Sequence, residues 1–201
     1  LEFDGPYVAN YVWSGYLAPI DHYISRELKT DLLPTILRQG TYNKRLYTIC
    51  NYESSIGIWA NKIYLKKAGI RIPAGIDDAW DLDEFEDVLK KLKALPEVEY
   101  PLDLKTNYGP SIEWYTYGFS VILISFGGDL INRKNYQTAQ GVLNGPEGIR
   151  AMTWFQQLFK KGYANPKPDG DDAFYGSKTA ALSFVGQWMW TPHHKALGDD
   201  L

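Results

Sequence analysis

Residues 174–190 read FYGSKTAALSFVGQWMW. A run of small and β-branched residues, Thr179 to Ser183, leads through Gly186 and Gln187 into two tryptophans one residue apart. Short runs of this kind bounded by turn residues read as strands. Trp188 and Trp190 therefore follow a strand end, where α/β folds gather their functional loops. They either fill a core or form a platform for something that comes and goes.

Working outward, strand and helix signals alternate. Immediately upstream, GPEGIRAMTWFQQLFKKG (145–162) predicts a helix with Pro146 in its first turn and Lys160-Lys161-Gly162 closing it. Over 82–95, Asp81 stands at the cap with Glu84 three residues on. Leu82, Phe85, Val88, Leu89, Leu92 and Leu95 make one apolar face there, and Pro96 stops the helix. Asn61 caps a shorter helix ended by Gly69, and Gly5-Pro6 open another through about Trp13. DLLPTILRQG (31–40) carries Leu32, Leu33, Ile36 and Leu37 at helical spacing, with Gly40 as a stop. Residues 1–3, KRLYTI (44–49), SIGIWA (55–60) and YPLDLK (100–105) read as strand segments, while Phe119–Ser125 fits helix or strand equally well. Such alternation predicts an α/β protein with a mixed sheet.

Bulk properties narrow the function classes. The 201 residues carry a net charge of −3, which gives no electrostatic reason to expect DNA or RNA. A single cysteine, Cys50, excludes an internal disulfide framework and a Cys-rich metal site. The apolar run Phe119–Phe126 falls far short of the ~20 residues that span a bilayer. No HExxH, CxxC or GxSxG occurs, and PDGDDAFYG lacks the alternating oxygen ligands of a calcium loop. His193-His194 reads as a solvated turn after Pro192. Glu53 and Glu113, each beside aromatics, are the carboxylates from which a glycoside hydrolase could be built.

The unusual number is 15% aromatic residues. Tyr7, Tyr52, Trp114, Tyr115, Tyr117, Trp188 and Trp190 fall at predicted loops and element ends, among Asp4, Asn51, Glu53, Glu113 and Gln187. Flat apolar rings interleaved with fixed polar groups suit a sugar, whose ring faces stack and whose hydroxyls need donors and acceptors.

Four segments resemble the extracellular solute-binding proteins of carbohydrate ABC transporters, the maltose-binding-protein-like family. They are residues 1–24; YNKRLYTICNYESSIGIWANKIYLKKAGI (42–70); AWDLDEFEDVLKKLKAL (79–95); and 144–166 continuing into FYGSKTAALSFVGQWMW. The second is similar to the family's Y-x-G-K-L-Y-x-x-P…L-x-Y-N-K-x-L-x-x-A-G, the third to its W-T-W-D-E-F, and the last to its F-x-x-G-K-A-A-M-x-x-x-G-x-W. Departures are Asn43-Lys44-Arg45 for the family's glycine turn, Cys50 for its proline, and Gly176-Ser177-Lys178 for its G-K.

The resemblance implies a type II periplasmic-binding-protein-like fold, with residues 1–53 as a partial N-lobe and hinge crossing and 54–201 as a C-lobe. It implies a chain without the family's N-terminal strand–helix–strand and C-terminal part. Ligand contacts map onto Asp4, Gly5, Tyr7, Tyr52, Glu53 and Ser54, and onto Trp114, Tyr115 and Tyr117 from a C-lobe loop. Trp188 becomes the sugar platform with Trp190 packed behind it. The implied function is carbohydrate binding for an importer, without catalysis, cofactor or metal. The partners are a sugar and the transporter's permease subunits, the location is periplasmic or at the cell surface, and the incomplete lobe favours a homodimer.

Overall fold

A computed structural model describes residues 2–201, and the chain divides into two units, Leu1–Ser54 and Ser55–Leu201. The larger unit is built on a three-stranded sheet. Strand β3 (Ile56–Ala60) runs antiparallel to β5 (Leu182–Gly186), with Ile56 opposite Gly186 and Ala60 opposite Leu182. On the other side β4 (Leu102–Asp103) pairs parallel to β5, giving the mixed order β3-β5-β4. All five residues of β5 are buried. A central strand has both edges paired and both faces covered, so it shows an apolar run instead of alternation.

Helices close over this sheet where local chemistry starts them. The Asp81 side chain accepts from Glu84 N at 2.8 Å to open α5 (Leu82–Lys93), and Asn61 Oδ1 accepts from Ile63 N at 3.0 Å to open α4 (Lys62–Lys67). Pro146 starts α7 (Pro146–Lys160). These helices and the sheet bury Leu65, Leu89, Leu92, Leu158, Leu182 and Val185 in one continuous core. Phe119–Ser125, open between helix and strand in the sequence, is the body of α6 (Trp114–Ser125). It buries Trp114, Gly118, Phe119, Ile122 and Leu123, one helical face, while Tyr115, Tyr117, Val121 and Ile124 stay exposed.

Two readings of local structure outside α6 fail in this unit. YPLDLK makes a strand only over Leu102–Asp103, because Lys105 adopts the left-handed conformation (φ 54°) and turns the chain. His193-His194 is not a solvated turn. Both lie in α8 (Trp190–Leu197), where Pro192 occupies the first turn and needs no N–H.

The smaller unit holds a 3₁₀ turn (Gly5–Tyr7), α1 (Val8–Trp13), α2 (Arg26–Asp31), α3 (Pro34–Gly40) and a hairpin of β1 (Thr41–Tyr42) with β2 (Arg45–Leu46). Asn43 and Lys44, where the family carries its glycine turn, both take positive φ (47° and 63°), the pairing that a two-residue hairpin turn requires. The predicted stripe Leu32, Leu33, Ile36, Leu37 is split. Leu33 leaves the helical region because the residue before proline is pushed out of it, Leu32 ends α2 in an extended conformation, and of the four only Ile36 is buried. KRLYTI forms a strand at Arg45–Leu46 alone. Glu2 and Phe3 carry no strand, and Leu1 lies outside the described residues. No helix of the described residues is long and apolar enough to cross a membrane.

Candidate ligand-binding site

The expected site residues fall in both units. In the smaller one, Asp4 precedes the 3₁₀ turn that contains Gly5 and Tyr7, and the Tyr7 ring lies 6.2 Å from Tyr11. Tyr52 donates from its hydroxyl to Glu2 Oε1 at 3.1 Å, and that carboxylate raises the phenol's pKa. Glu53 Oε2 accepts from Thr35 Oγ1 at 3.1 Å, and Ser54 is exposed. Two internal ties therefore anchor Tyr52 and Glu53 to the segments that precede them.

In the larger unit the structure gathers Trp114, Tyr117 and Trp188 into one aromatic cluster, with Tyr115 beside it. These α6 residues are helical, which corrects the expected loop. Trp114 is no surface residue either. It is 3% exposed, donates from Nε1 to Leu104 O at 3.2 Å, and touches Tyr108, Phe119 and Phe184. Gly118, one helical turn on, makes room for it, since a β-carbon there would lie 2.9 Å from the indole. Trp114 is the buried support on which the exposed rings rest.

Trp188 is 41% exposed. Its ring stands edge-on to Trp114 (6.1 Å, 87°) and tilted to Tyr117 (6.5 Å, 34°), both usual aromatic geometries. The ring lies back across Gly186, where a β-carbon would come within 1.9 Å of it. Any other residue at 186 would drive the indole off this seat. Gln187 is tied to the start of β3: its Oε1 accepts from Ser55 N at 2.6 Å, and its own N donates to Ser55 O at 3.3 Å. Tyr115 and Tyr117 are each 38% exposed, and Tyr115 Oη donates to Thr106 O at 3.3 Å. The result is an exposed aromatic surface over a rigid base, able to stack on a flat apolar ring face.

Trp190 does not pack behind Trp188. Half exposed, it stacks on His194 (4.7 Å, 9°) and lies 5.9 Å from Trp59. The 3₁₀ turn Gln187–Met189 changes the chain direction between the two tryptophans, so spacing along a strand does not govern where they point.

Several residues beneath this surface escaped the sequence reading. Tyr108 packs on Trp114 at 5.3 Å and faces the Trp188 indole N–H as an acceptor; burial raises its pKa more than that donor lowers it. Lys105 is fully buried between two carboxylates, 2.7 Å from Asp103 Oδ2 and 3.0 Å from Asp171 Oδ1, and its Nζ donates to Asp171 O at 2.8 Å. Burial opposes its charge, but the carboxylates outweigh burial and hold its pKa above the ordinary lysine value. The alternating Asp103 and Lys105 in a strand-like run were the available signal, since residues two apart share a face. His193, also fully buried, sits among Phe174, Tyr175 and Trp59 with both ring nitrogens unpartnered. Burial and the nearby Lys105 charge push its pKa down to about 4. Among the described residues, no three His, Cys, Asp or Glu side chains gather as a metal site.

Comparison with known proteins identifies the family. The sequence profile of the bacterial extracellular solute-binding protein family matches residues 1–201. A binding protein of Brucella abortus is 24% identical over 160 residues, 80% of this chain and 36% of that protein. Among solved structures, an ABC transporter solute-binding protein of Thermotoga lettingae bound with α-D-tagatose is 23% identical and superposes with a TM-score of 0.78. That match covers 97% of this chain and 49% of the other. The GacH receptor of Streptomyces glaucescens, solved unliganded and with acarbose, is 22% identical with a TM-score of 0.75, over 96% of this chain and 46% of its own. The chain thus spans about a third of the Brucella protein and about half of each solved one. The likeness in fold bears out the expected mixed α/β architecture. The match along its full length makes this chain a member of the bacterial extracellular solute-binding protein family.

Proposed function

We propose that this chain carries the carbohydrate-binding surface of a solute receptor that serves an ABC importer outside the cytoplasmic membrane. Its task is to hold a sugar and release it to a permease, with no bond made or broken. The observation that carries the reading is Trp188: an indole left exposed, seated against Gly186 and braced by buried Trp114 and by Tyr117. A ring fixed in that way loses little freedom when a sugar face stacks on it, so most of the contact energy is kept. Support also comes from the solved neighbours, one bound with tagatose and one with acarbose.

On this reading Trp188 and Tyr117 supply the stacking faces, and Trp114 supports them without touching the ligand. Residues 54–201 correspond to the family's C-lobe and 1–53 to part of its N-lobe, on the family resemblance alone. The same resemblance places further contacts at Asp4, Gly5, Tyr7, Tyr52, Glu53 and Ser54.

The test is a thermal-shift screen against mono- and oligosaccharides, tagatose, maltotetraose and acarbose among them, followed by calorimetry. A ligand that binds only the folded state raises the melting temperature. We expect one class of sugar to do so, and Trp188→Ala to weaken its binding about tenfold, the ~1–2 kcal/mol of one stacked ring. Equal affinity in the variant would remove Trp188 from the site. Release of reducing sugar from an oligosaccharide would point instead to hydrolysis.

A further inference from the structure

The exposed rings are held from below by one short segment. Leu104 O accepts from Trp114 Nε1, Thr106 O accepts from Tyr115 Oη, and the Tyr108 ring packs against Trp114. Residues 104–108 are thus the base that sets the position of the aromatic surface. They form neither helix nor sheet beyond one 3₁₀ turn (Thr106–Tyr108), so no ladder of backbone hydrogen bonds holds them. Leu104 is buried in the core, and the charged ties on the segment converge on Lys105.

The Lys105 backbone takes a left-handed conformation that costs a side-chain-bearing residue roughly 1 kcal/mol. Its own N–H donates to Asp103 Oδ1 at 3.0 Å, and its ammonium reaches Asp103 and Asp171 with no exposure to water. Thr106 Oγ1 adds a bond to Asn165 O at 3.0 Å. The segment is therefore clamped between the end of β4 and the loop at 165–171. Removing one partner of a buried ion pair leaves a charge without compensation, so the clamp either holds or opens.

We propose that Lys105 is the positioning residue of the aromatic ligand surface: by joining Asp103 to Asp171 it fixes residues 104–108 and, through them, Trp114, Tyr115 and Trp188. It never meets the ligand. Its link to sugar affinity rests on the reading of Trp188 as a stacking platform, whereas its hold on the rings does not.

The experiment follows the indole N–H resonances of the intact chain by nuclear magnetic resonance, assigned with single Trp→Phe variants. Trp154 is the internal control, since its Nε1 donates to Glu86 Oε1 at 2.8 Å away from the clamp. In Lys105→Met we expect the Trp114 and Trp188 indole protons to shift and the Trp114 proton to exchange at least about tenfold faster, with Trp154 unchanged. Affinity for maltotetraose, read from intrinsic fluorescence, falls about tenfold in step. Asp103→Asn combined with Lys105→Met removes the pair together and should restore stability, yet leave both indoles displaced. Asp171→Asn, at a partly exposed carboxylate, gives the same displacement in smaller degree if Lys105→Met fails to fold.

Wild-type Trp114 and Trp188 signals in the folded variants would overturn the proposal, as would an equal disturbance of Trp154. If the unaltered chain binds no sugar while the indoles still move, the sugar reading fails and the clamp stands.

Discussion

The two units of this chain are made of the same local parts and differ in what those parts bury. In Ser55–Leu201, helices and sheet enclose a continuous core in which Leu89, Leu92, Leu158, Leu182 and Val185 have no exposure. Among the described residues of Leu1–Ser54 the buried apolar side chains are Val8, Ile36 and Leu46, while Trp13, Tyr16 and Tyr23 each stand more than 60% exposed. The smaller unit relies on polar ties. Asp21 accepts from Leu46 N and from Arg45 Nε, which lowers its pKa through the backbone bond first, and Trp13 donates to Tyr42. Helix starts and turns can thus be sound where burial is thin. Burial determines which unit resists opening, because each square ångström of apolar surface removed from water is worth about 25 cal/mol.

The largest expected effect tests that contrast directly. Leu89→Ala should cost about 3–5 kcal/mol, since its neighbours cannot collapse onto the void. Ile36→Ala should cost at most about 2 kcal/mol, the low end for such truncations. Denaturant unfolding read with amide exchange separates the two units, and equal costs would end the comparison.

Next comes pH. His193 has a folded pKa of about 4 against an ordinary 6.5, so between those values the unfolded chain binds the proton and the folded chain does not. Stability is therefore complete above pH 6.5 and falls as pH drops towards 4, by roughly 3 kcal/mol at most. The loss should appear in the larger unit and vanish in His193→Phe. A wild-type slope in that variant would assign the acid sensitivity elsewhere.

A third comparison lies within the larger unit. Trp114→Ala should cost about 3–5 kcal/mol of stability, whereas Trp188→Ala should leave stability within about 1 kcal/mol and act on ligand affinity instead. If both variants unfold alike, Trp188 belongs to the core.

The smallest effect is one on which the units should agree. Asp81 caps α5 in the larger unit and Ser25 caps α2 in the smaller, where its Oγ accepts from Leu28 N at 3.1 Å. Alanine at either should cost about 1 kcal/mol, because a cap bond is local and does not depend on the core beside it. Local exchange of the first-turn amides measures each cost, and a severalfold difference would show that tertiary packing enters even here.

Much of the fold could be read before the structure was seen. Asp81 with Glu84, Asn61, Pro146, Pro96 and the closing Gly69 and Gly162 mark helices α4, α5 and α7 through chemistry confined to a few neighbouring positions. The run Thr179–Ser183 announces a strand, which the structure places at Leu182–Gly186 in the centre of the sheet. The site was legible only as a set of aromatic residues. Trp114 as support, Trp188 as surface and Trp190 on another face cannot be told apart by composition, because the three differ in what lies against them.

The sequence by itself determined where helices α4, α5 and α7 begin and end, that a strand-like segment leads into Trp188, and which family the chain joins. Tertiary structure alone decided the helical state of Trp114–Ser125, the burial of His193, the parting of Trp188 from Trp190, and the Lys105 clamp. Caps, prolines and periodic stripes act through the backbone of their own segment and need no partner to be recognised. A helix apolar on nearly all sides and a charge taken out of water acquire their meaning from neighbours far along the chain. For Lys105 the deciding neighbour is Asp171, 66 positions away, and nothing short of the folded chain brings the two together.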